Sequence, residues 1–126
     1  MKTIINTPKA PAPIGPYNQA VLTGNTLYTS GQIALNVDTG ELVMDSIQSE
    51  TKQVMENLKA VLEAAQMTFS NVIKTSIFIS DMHNFSSINE VYAQYFDSES
   101  APARETVEVS NLPKFVNVEI SMIAVK

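Results

Sequence analysis

The stretch Val116-Asn117-Val118-Glu119-Ile120-Ser121-Met122-Ile123-Ala124-Val125 constrains the fold more than any other part of this sequence. Val116, Val118, Ile120, Met122 and Ala124 recur at every second residue, so in a strand they share one face. Asn117, Glu119 and Ser121 share the other, which Ile123 and Val125 then continue with apolar side chains. A strand apolar on one face and partly apolar on the other belongs inside a sheet that needs cover on both sides.

What can supply that cover follows from the rest of the chain. Ser46 to Ala65 reads as a helix, because Ile47, Val54, Met55, Leu58, Val61, Leu62 and Ala65 recur at three and four residues and make one stripe. Ser46 is placed to cap it, with Glu50 and Glu56 toward its positive end. Ser86 to Phe96 reads as a second helix with Ile88, Val91, Tyr92 and Tyr95 on its apolar side, and Ser87-x-x-Glu90 resembles a capping box. Strands are expected at Tyr17–Leu22, Thr26–Ile33, Val72–Ser80, Thr106–Val109 and Val116–Val125, with turns at Gly24-Asn25, Asp38-Thr39-Gly40, Asp81–Asn84 and Leu112-Pro113-Lys114. Pro8, Pro11, Pro13 and Pro16 make the segment before Tyr17 an irregular, extended arm.

Strands, helix, strand, helix, strands is the order of an α+β two-layer domain: one mixed sheet with two helices on one face. At 126 residues a single domain spanning 1–126 is expected. Ile33, Ile77, Ile79, Ile123 and Val125 suggest that the uncovered face is apolar too, which predicts self-association.

Composition excludes whole classes of chemistry. With no cysteine there is no disulfide, zinc-thiolate site or thiol nucleophile. The sole histidine, His83, falls in a turn without metal-ligand spacing, and no metal site is expected. The net charge is -5, the lysines are scattered and there is one arginine, so a nucleic-acid reader is not expected. Neither a signal peptide nor an apolar run of membrane-spanning length is visible, so the expected location is cytoplasmic and no membrane partner is expected.

Few polar residues remain as candidates for chemistry. Arg104 opens a strand in Ala101-Pro102-Ala103-Arg104, and its guanidinium fork suits a carboxylate. Its plain alternative is an exposed pair with Glu105 or Glu108. Glu119 interrupts an apolar strand; it is either part of a polar sheet face or, if half-buried beside a cleft, a carboxyl of raised pKa able to act as a general base. Tyr17 offers a phenol, Ser30 and Gly31 sit where a backbone can approach a ligand, and Asn89 is a poor mid-helix residue that invites a hydrogen-bonding role. Packing, a bulge and an exposed helix position are the respective alternatives.

Taken in order, Ala12-Pro13-Ile14-Gly15-Pro16-Tyr17, Thr29-Ser30-Gly31-Gln32-Ile33, Pro102-Ala103-Arg104, Leu112-Pro113-Lys114 and Val118-Glu119-Ile120 resemble the RidA/YjgF family of reactive-intermediate deaminases across nearly the whole chain. The resemblance implies a chorismate-mutase-like fold, a homotrimer with clefts between subunits, and no cofactor. It implies hydrolysis of enamine-derived 2-iminoacids such as those from 2-aminoacrylate to 2-ketoacids and ammonia. By the same resemblance Arg104 holds the substrate carboxylate, Glu119 activates water, Tyr17 helps to hold that water or the imine nitrogen, and Ser30, Gly31 and Asn89 line the cleft together with Thr106. Thr106 stands where many members have cysteine, so any thiol-dependent activity is absent. Glu105 is expected to point away from Arg104, and to compete for the guanidinium only where the strand is irregular. The alternative reading is a regulatory module that binds a small carboxylate or ketoacid without turnover.

Overall fold

The computed structural model describes residues 1–126. Six strands form one mixed sheet: β1 (Lys2–Ile5), β2 (Ala20–Thr23), β3 (Thr26–Thr29), β4 (Val72–Ile79), β5 (Ala103–Glu108) and β6 (Val118–Val125), in the spatial order β1-β2-β3-β6-β4-β5. All neighbours are antiparallel except β4 and β5, which run parallel. Two helices, α1 (Ile47–Ala64) and α2 (Phe85–Tyr92), complete the α+β architecture.

One face of the sheet is covered as the sequence periodicities require. Val118, Ile120, Met122 and Ala124 of β6, with Ile77 and Ile79 of β4, meet Val54, Leu58, Val61 and Leu62 of α1 and Ile88 of α2 in a single core of 20 buried residues. Alternation along β6 is strict, buried residues on one side and partly exposed ones on the other. Ser46 caps α1 by accepting the Ser49 N–H at 3.0 Å.

Several boundaries differ from the sequence reading, each for a local reason. A strand at Lys2–Ile5, which no pattern in the residues marks, pairs with β2 at the sheet edge. β2 starts at Ala20 rather than Tyr17, because the buried Gln19 amide donates to the carbonyls of Thr7, Ala10 and Pro11 and ties the proline arm down. β3 stops at Thr29; the chain leaves the ladder at Ser30-Gly31 and touches it again where Gln32 bridges Ile120. The second helix runs Phe85–Tyr92 and tightens into a 3-10 turn over Ala93–Tyr95. Its first turn begins at Phe85, which puts Ser87 inside the helix; the N-cap Asn84 makes no side-chain cap, so the capping box at Ser87 does not form. β5 begins at Ala103, three residues before the expected start at Thr106, because it follows β4 in register from Lys74 onward.

The uncovered face is less apolar than expected. Ile77 and Ile79 lie on the covered side, so β4 contributes Lys74, Ser76 and Phe78 to the open one. Tyr28 and Ile123, paired across β3 and β6, give it an apolar centre, and Ile4 and Val107 stand exposed toward its edges.

Candidate active site

Register divides the candidate residues between the two faces of the sheet. Arg104 is the parallel partner of Thr75, a fully buried residue on the covered face. Glu119 is the antiparallel partner of Phe78, three residues further along β4 and therefore on the opposite face. One chain thus builds two half-sites.

The first half-site lies where β5 meets α2. Arg104 Nη1 donates to Asn89 Oδ1 at 2.7 Å. Its guanidinium carbon lies 5.0 Å from the centre of the Tyr92 ring and 5.6 Å from that of Phe85, within cation–π range. The Tyr92 hydroxyl in turn bonds Thr75 Oγ1 at 2.8 Å, which locks the ring beneath the arginine. Burial pushes the Tyr92 phenol above its ordinary pKa, against the smaller opposing effects of the Thr75 hydrogen bond and the Arg104 charge. The other guanidinium donors stay free for a ligand. Thr106 follows on the same face, its buried hydroxyl without any hydrogen-bond partner. Such an orphan is costly unless something outside the chain completes it.

Glu105 does not compete for the arginine. The strand is regular, and Glu105 points to the open face, where it accepts from Lys74 Nζ at 2.9 Å and from the Ser76 hydroxyl. Those contacts hold its carboxyl below the usual range. Glu108 accepts the Met82 N–H at 2.7 Å. The plain reading of Arg104 as half of a surface ion pair is thereby set aside.

The second half-site is built on β6 and the break after β3. Glu119 lies half-buried, with no hydrogen-bond or ion-pair partner in the chain, and burial raises its carboxyl above the ordinary 4.5. Its carboxyl group covers Gly31 so closely that a Cβ there would lie 2.7 Å from Cδ and from Oε2. Gly31 is therefore glycine because the carboxylate occupies the side-chain space. Tyr17, about half exposed, lines a small crevice with Gly31, Ile14 and Lys114. Ser30 faces inward instead: its hydroxyl donates to the Asn18 carbonyl at 2.5 Å and its N–H to Gln19 O at 2.8 Å, pinning the proline arm beside the site.

Some of this was invisible in sequence. Tyr92 read as an ordinary apolar helix position, although it falls three residues after Asn89 and so shares its face, and Phe85 lay just outside the expected helix. Lys114 and Phe115 both adopt positive φ of 56° beside the Tyr17 crevice, which neither side chain favours. No cluster of three or more His, Asp or Glu side chains suited to a metal ion occurs, and His83 stands exposed beside Asp81. No helix is long and apolar enough to cross a membrane.

With this geometry in hand, comparison with known proteins decides the family. The model of the family described as "Endoribonuclease L-PSP" matches residues 7–126. The chain belongs to the RidA/YjgF family. A RutC family protein of Pyrococcus horikoshii is 52% identical over 126 residues, covering 100% of this chain and 99% of that protein. The human protein named 2-iminobutanoate/2-iminopropanoate deaminase is 42% identical, with 100% of this chain and 91% of that one covered. Among solved structures, a Rid-family protein of Yersinia pestis superposes with a TM-score of 0.96 at 48% identity, each chain fully covered. TdcF of E. coli, solved with bound serine, gives 0.92 at 44% identity over 98% of each chain. RidA/YjgF membership accounts for the mixed sheet with two helices, and some relatives carry the deaminase name while others are named only by family.

Proposed function

We propose that this protein hydrolyses reactive 2-iminoacids, the tautomers of enamines such as 2-aminoacrylate, to 2-ketoacids and ammonia in the cytoplasm, as a homotrimer with its sites between subunits. Glu119 carries the reading: a half-buried carboxyl without a partner, its pKa raised, beside a glycine that gives up its side-chain space. A carboxyl of raised pKa in a cleft is suited to accept a proton from water. Arg104, pinned by Asn89 and two aromatic rings with donors to spare, suits the substrate carboxylate.

In the proposed reaction Arg104 fixes the carboxylate so that the imine carbon faces a water held by Glu119 and Tyr17. The water oxygen bonds to that carbon as the C=N π electrons move to nitrogen, and Glu119 takes the released proton. Glu119 returns that proton to nitrogen, the hydroxyl proton follows it there as the C=O forms and the C–N bond breaks, and ammonia leaves with both hydrogens of the water. The substrate is already electrophilic, so orientation supplies most of the acceleration. The two half-sites lie on opposite sheet faces of one chain, and a second copy offering its Glu119 edge to the Arg104 edge of the first would complete one cleft. The partly apolar open face supports such an association.

One observation favours the second reading, a carboxylate-binding module without turnover: the arginine cluster is assembled within a single chain, whereas Glu119 lies on the opposite face of the sheet. A ribonuclease role, suggested only by the family's description, gains nothing from one arginine and a net charge of -5.

The test couples a serine/threonine dehydratase, as enamine source, to the measurement of ketoacid release. Faster release with the wild-type protein and none with Arg104→Ala supports the deaminase. Release no faster than spontaneous hydrolysis, together with ketoacid binding that Arg104→Ala abolishes, would establish the module.

A further inference from the structure

Two glutamines line the small crevice beside Tyr17, and the chain treats them differently. Gln19 is 2% exposed, and both ends of its amide are engaged. Nε2 donates to the carbonyls of Thr7, Ala10 and Pro11, and Oε1 accepts the Thr7 N–H at 2.6 Å. Gln32 is 5% exposed, and its N–H and C=O bond the main chain of Ile120 at 2.8 and 3.1 Å. Those are its only hydrogen bonds, so the carboxamide has no partner in the chain. The Thr106 hydroxyl, the other idle polar group, is sealed off, whereas Gln32 lines an opening. A carboxamide so deeply buried is ordinarily completed by the chain or by ordered water.

The crevice has the dimensions for water. Its volume of about 50 Å³ admits a few water molecules and falls well short of what an iminoacid needs. Tyr17 adds a phenol to its lining, while Pro11, Ala12 and Leu35 add apolar wall. Gly31 belongs to the crevice and to the base at once: it lines the one, and its Cβ position lies 2.7 Å from the Glu119 carboxyl. Residue 31 thus sets no side chain between the two.

We infer that Gln32 is a positioning residue: its carboxamide holds a water in the crevice, and this water refills the place beside Glu119 and Tyr17 that each hydrolysis empties. The inference rests on the proposed function and adds a residue to it. The reaction consumes one water per imine, and a substrate clamped between subunits covers the approach from solvent. A water held in the crevice reaches Glu119 past Gly31 instead, already oriented by the amide that binds it. Gln32 is fixed for this task, because its main chain is bonded in both directions to the residue next to Glu119.

Two experiments test this. A crystal structure of the assembled wild-type protein, at a resolution that shows ordered water, is expected to place one on the Gln32 carboxamide inside the crevice. An amide bonded to a neighbouring subunit instead, or one with no water beside it, overturns the inference. The second experiment supplies the alanine-derived imine at several rates with an L-amino-acid oxidase. It compares Gln32→Met, of equal length but apolar, with Gln32→Asn, which keeps the carboxamide. For Gln32→Met we expect kcat to fall about tenfold, with KM within about twofold of wild type and an unchanged melting temperature. Gln32→Asn, which reaches the same water from a shorter stem, should return kcat to within about threefold of wild type. An unchanged kcat in Gln32→Met sinks the inference and leaves the deaminase reading intact. A loss of melting temperature in Gln32→Met, or an equal fall of kcat in Gln32→Asn, marks a packing role and sinks it as well. Should the wild type release ketoacid no faster than spontaneous hydrolysis, the deaminase reading itself fails and takes the supply role with it.

Discussion

Two carboxylates flank β6 within a few residues of each other, and the protein treats them in opposite ways. Glu50 of α1 is completely buried, yet its two oxygens accept from the Asn117 N–H and Nδ2 at 2.8 Å each and from the Val118 N–H at 3.2 Å. Glu119, on the other face, is only half-buried and accepts nothing. The more deeply buried carboxyl is the one whose partners are all supplied by the chain itself. Full burial with both oxygens engaged fixes the start of the strand, and asks nothing of a ligand; partial burial with none engaged leaves a carboxyl free for the proposed role of base.

The sharpest way to break this contrast is Glu119→Gln. If Glu119 is the base, kcat falls by about 10²–10⁴-fold while thermal stability is kept or raised. Retained turnover would remove the functional half of the comparison. Glu50→Leu should do the reverse. It strands three N–H donors in a dry site, and urea denaturation should register a loss of roughly 3 to 5 kcal/mol. A loss no larger than that of Glu119→Leu would show that the buried carboxylate is not holding the strand.

Smaller effects sharpen the picture. Arg104→Lys keeps the charge but loses the fork and the ring stacking, and should raise KM by about 10- to 100-fold with little change in stability. Gly31→Ala places a methyl group where the Glu119 carboxyl lies, and the flexible end of that side chain must move aside. We expect kcat/KM to drop about tenfold with a nearly unchanged melting temperature, a misplacement effect rather than a folding one. The smallest signal is in pH. Because burial raises the Glu119 carboxyl above 4.5, the native state keeps a proton in the window just above that value which the unfolded chain has already lost. Stability therefore falls as pH rises through this window, the acid limb of activity lies above 4.5, and Glu119→Gln should flatten both.

The parts of the molecule that obey a period were legible in the sequence. The alternation of β6 and the stripe of α1 gave their cores almost residue for residue, because burial on one face leaves no other register open. β1 was missed since Lys2–Ile5 is an edge strand too short to show a pattern. Ser30-Gly31 read as the end of a strand, with a bulge as the alternative, because nothing local reveals that a glutamate almost ninety positions later claims the space above Gly31. Of the candidate site, Arg104, Glu119, Tyr17, Ser30, Gly31 and Asn89 stood out by residue type and place, Glu119 because it interrupts an apolar strand, whereas their assigned roles and Thr106 came from family resemblance. What sequence could not give was their distribution: only the register of β5 and β6 on β4 places Arg104 and Glu119 on opposite faces.

The position of β6 has a consequence for how the chain is made. It sits between β3 and β4, yet both precede it in order of synthesis. Until Val118–Val125 leaves the ribosome, the growing polypeptide holds a β1-β2-β3 meander and a β4-α2-β5 unit with no ladder to join them, each with an open strand edge. Joining them closes long loops late, so productive folding waits for this segment. A nascent chain stalled ahead of it would expose two edges ready to pair with the wrong neighbour, a client for chaperones rather than a smaller version of the native protein.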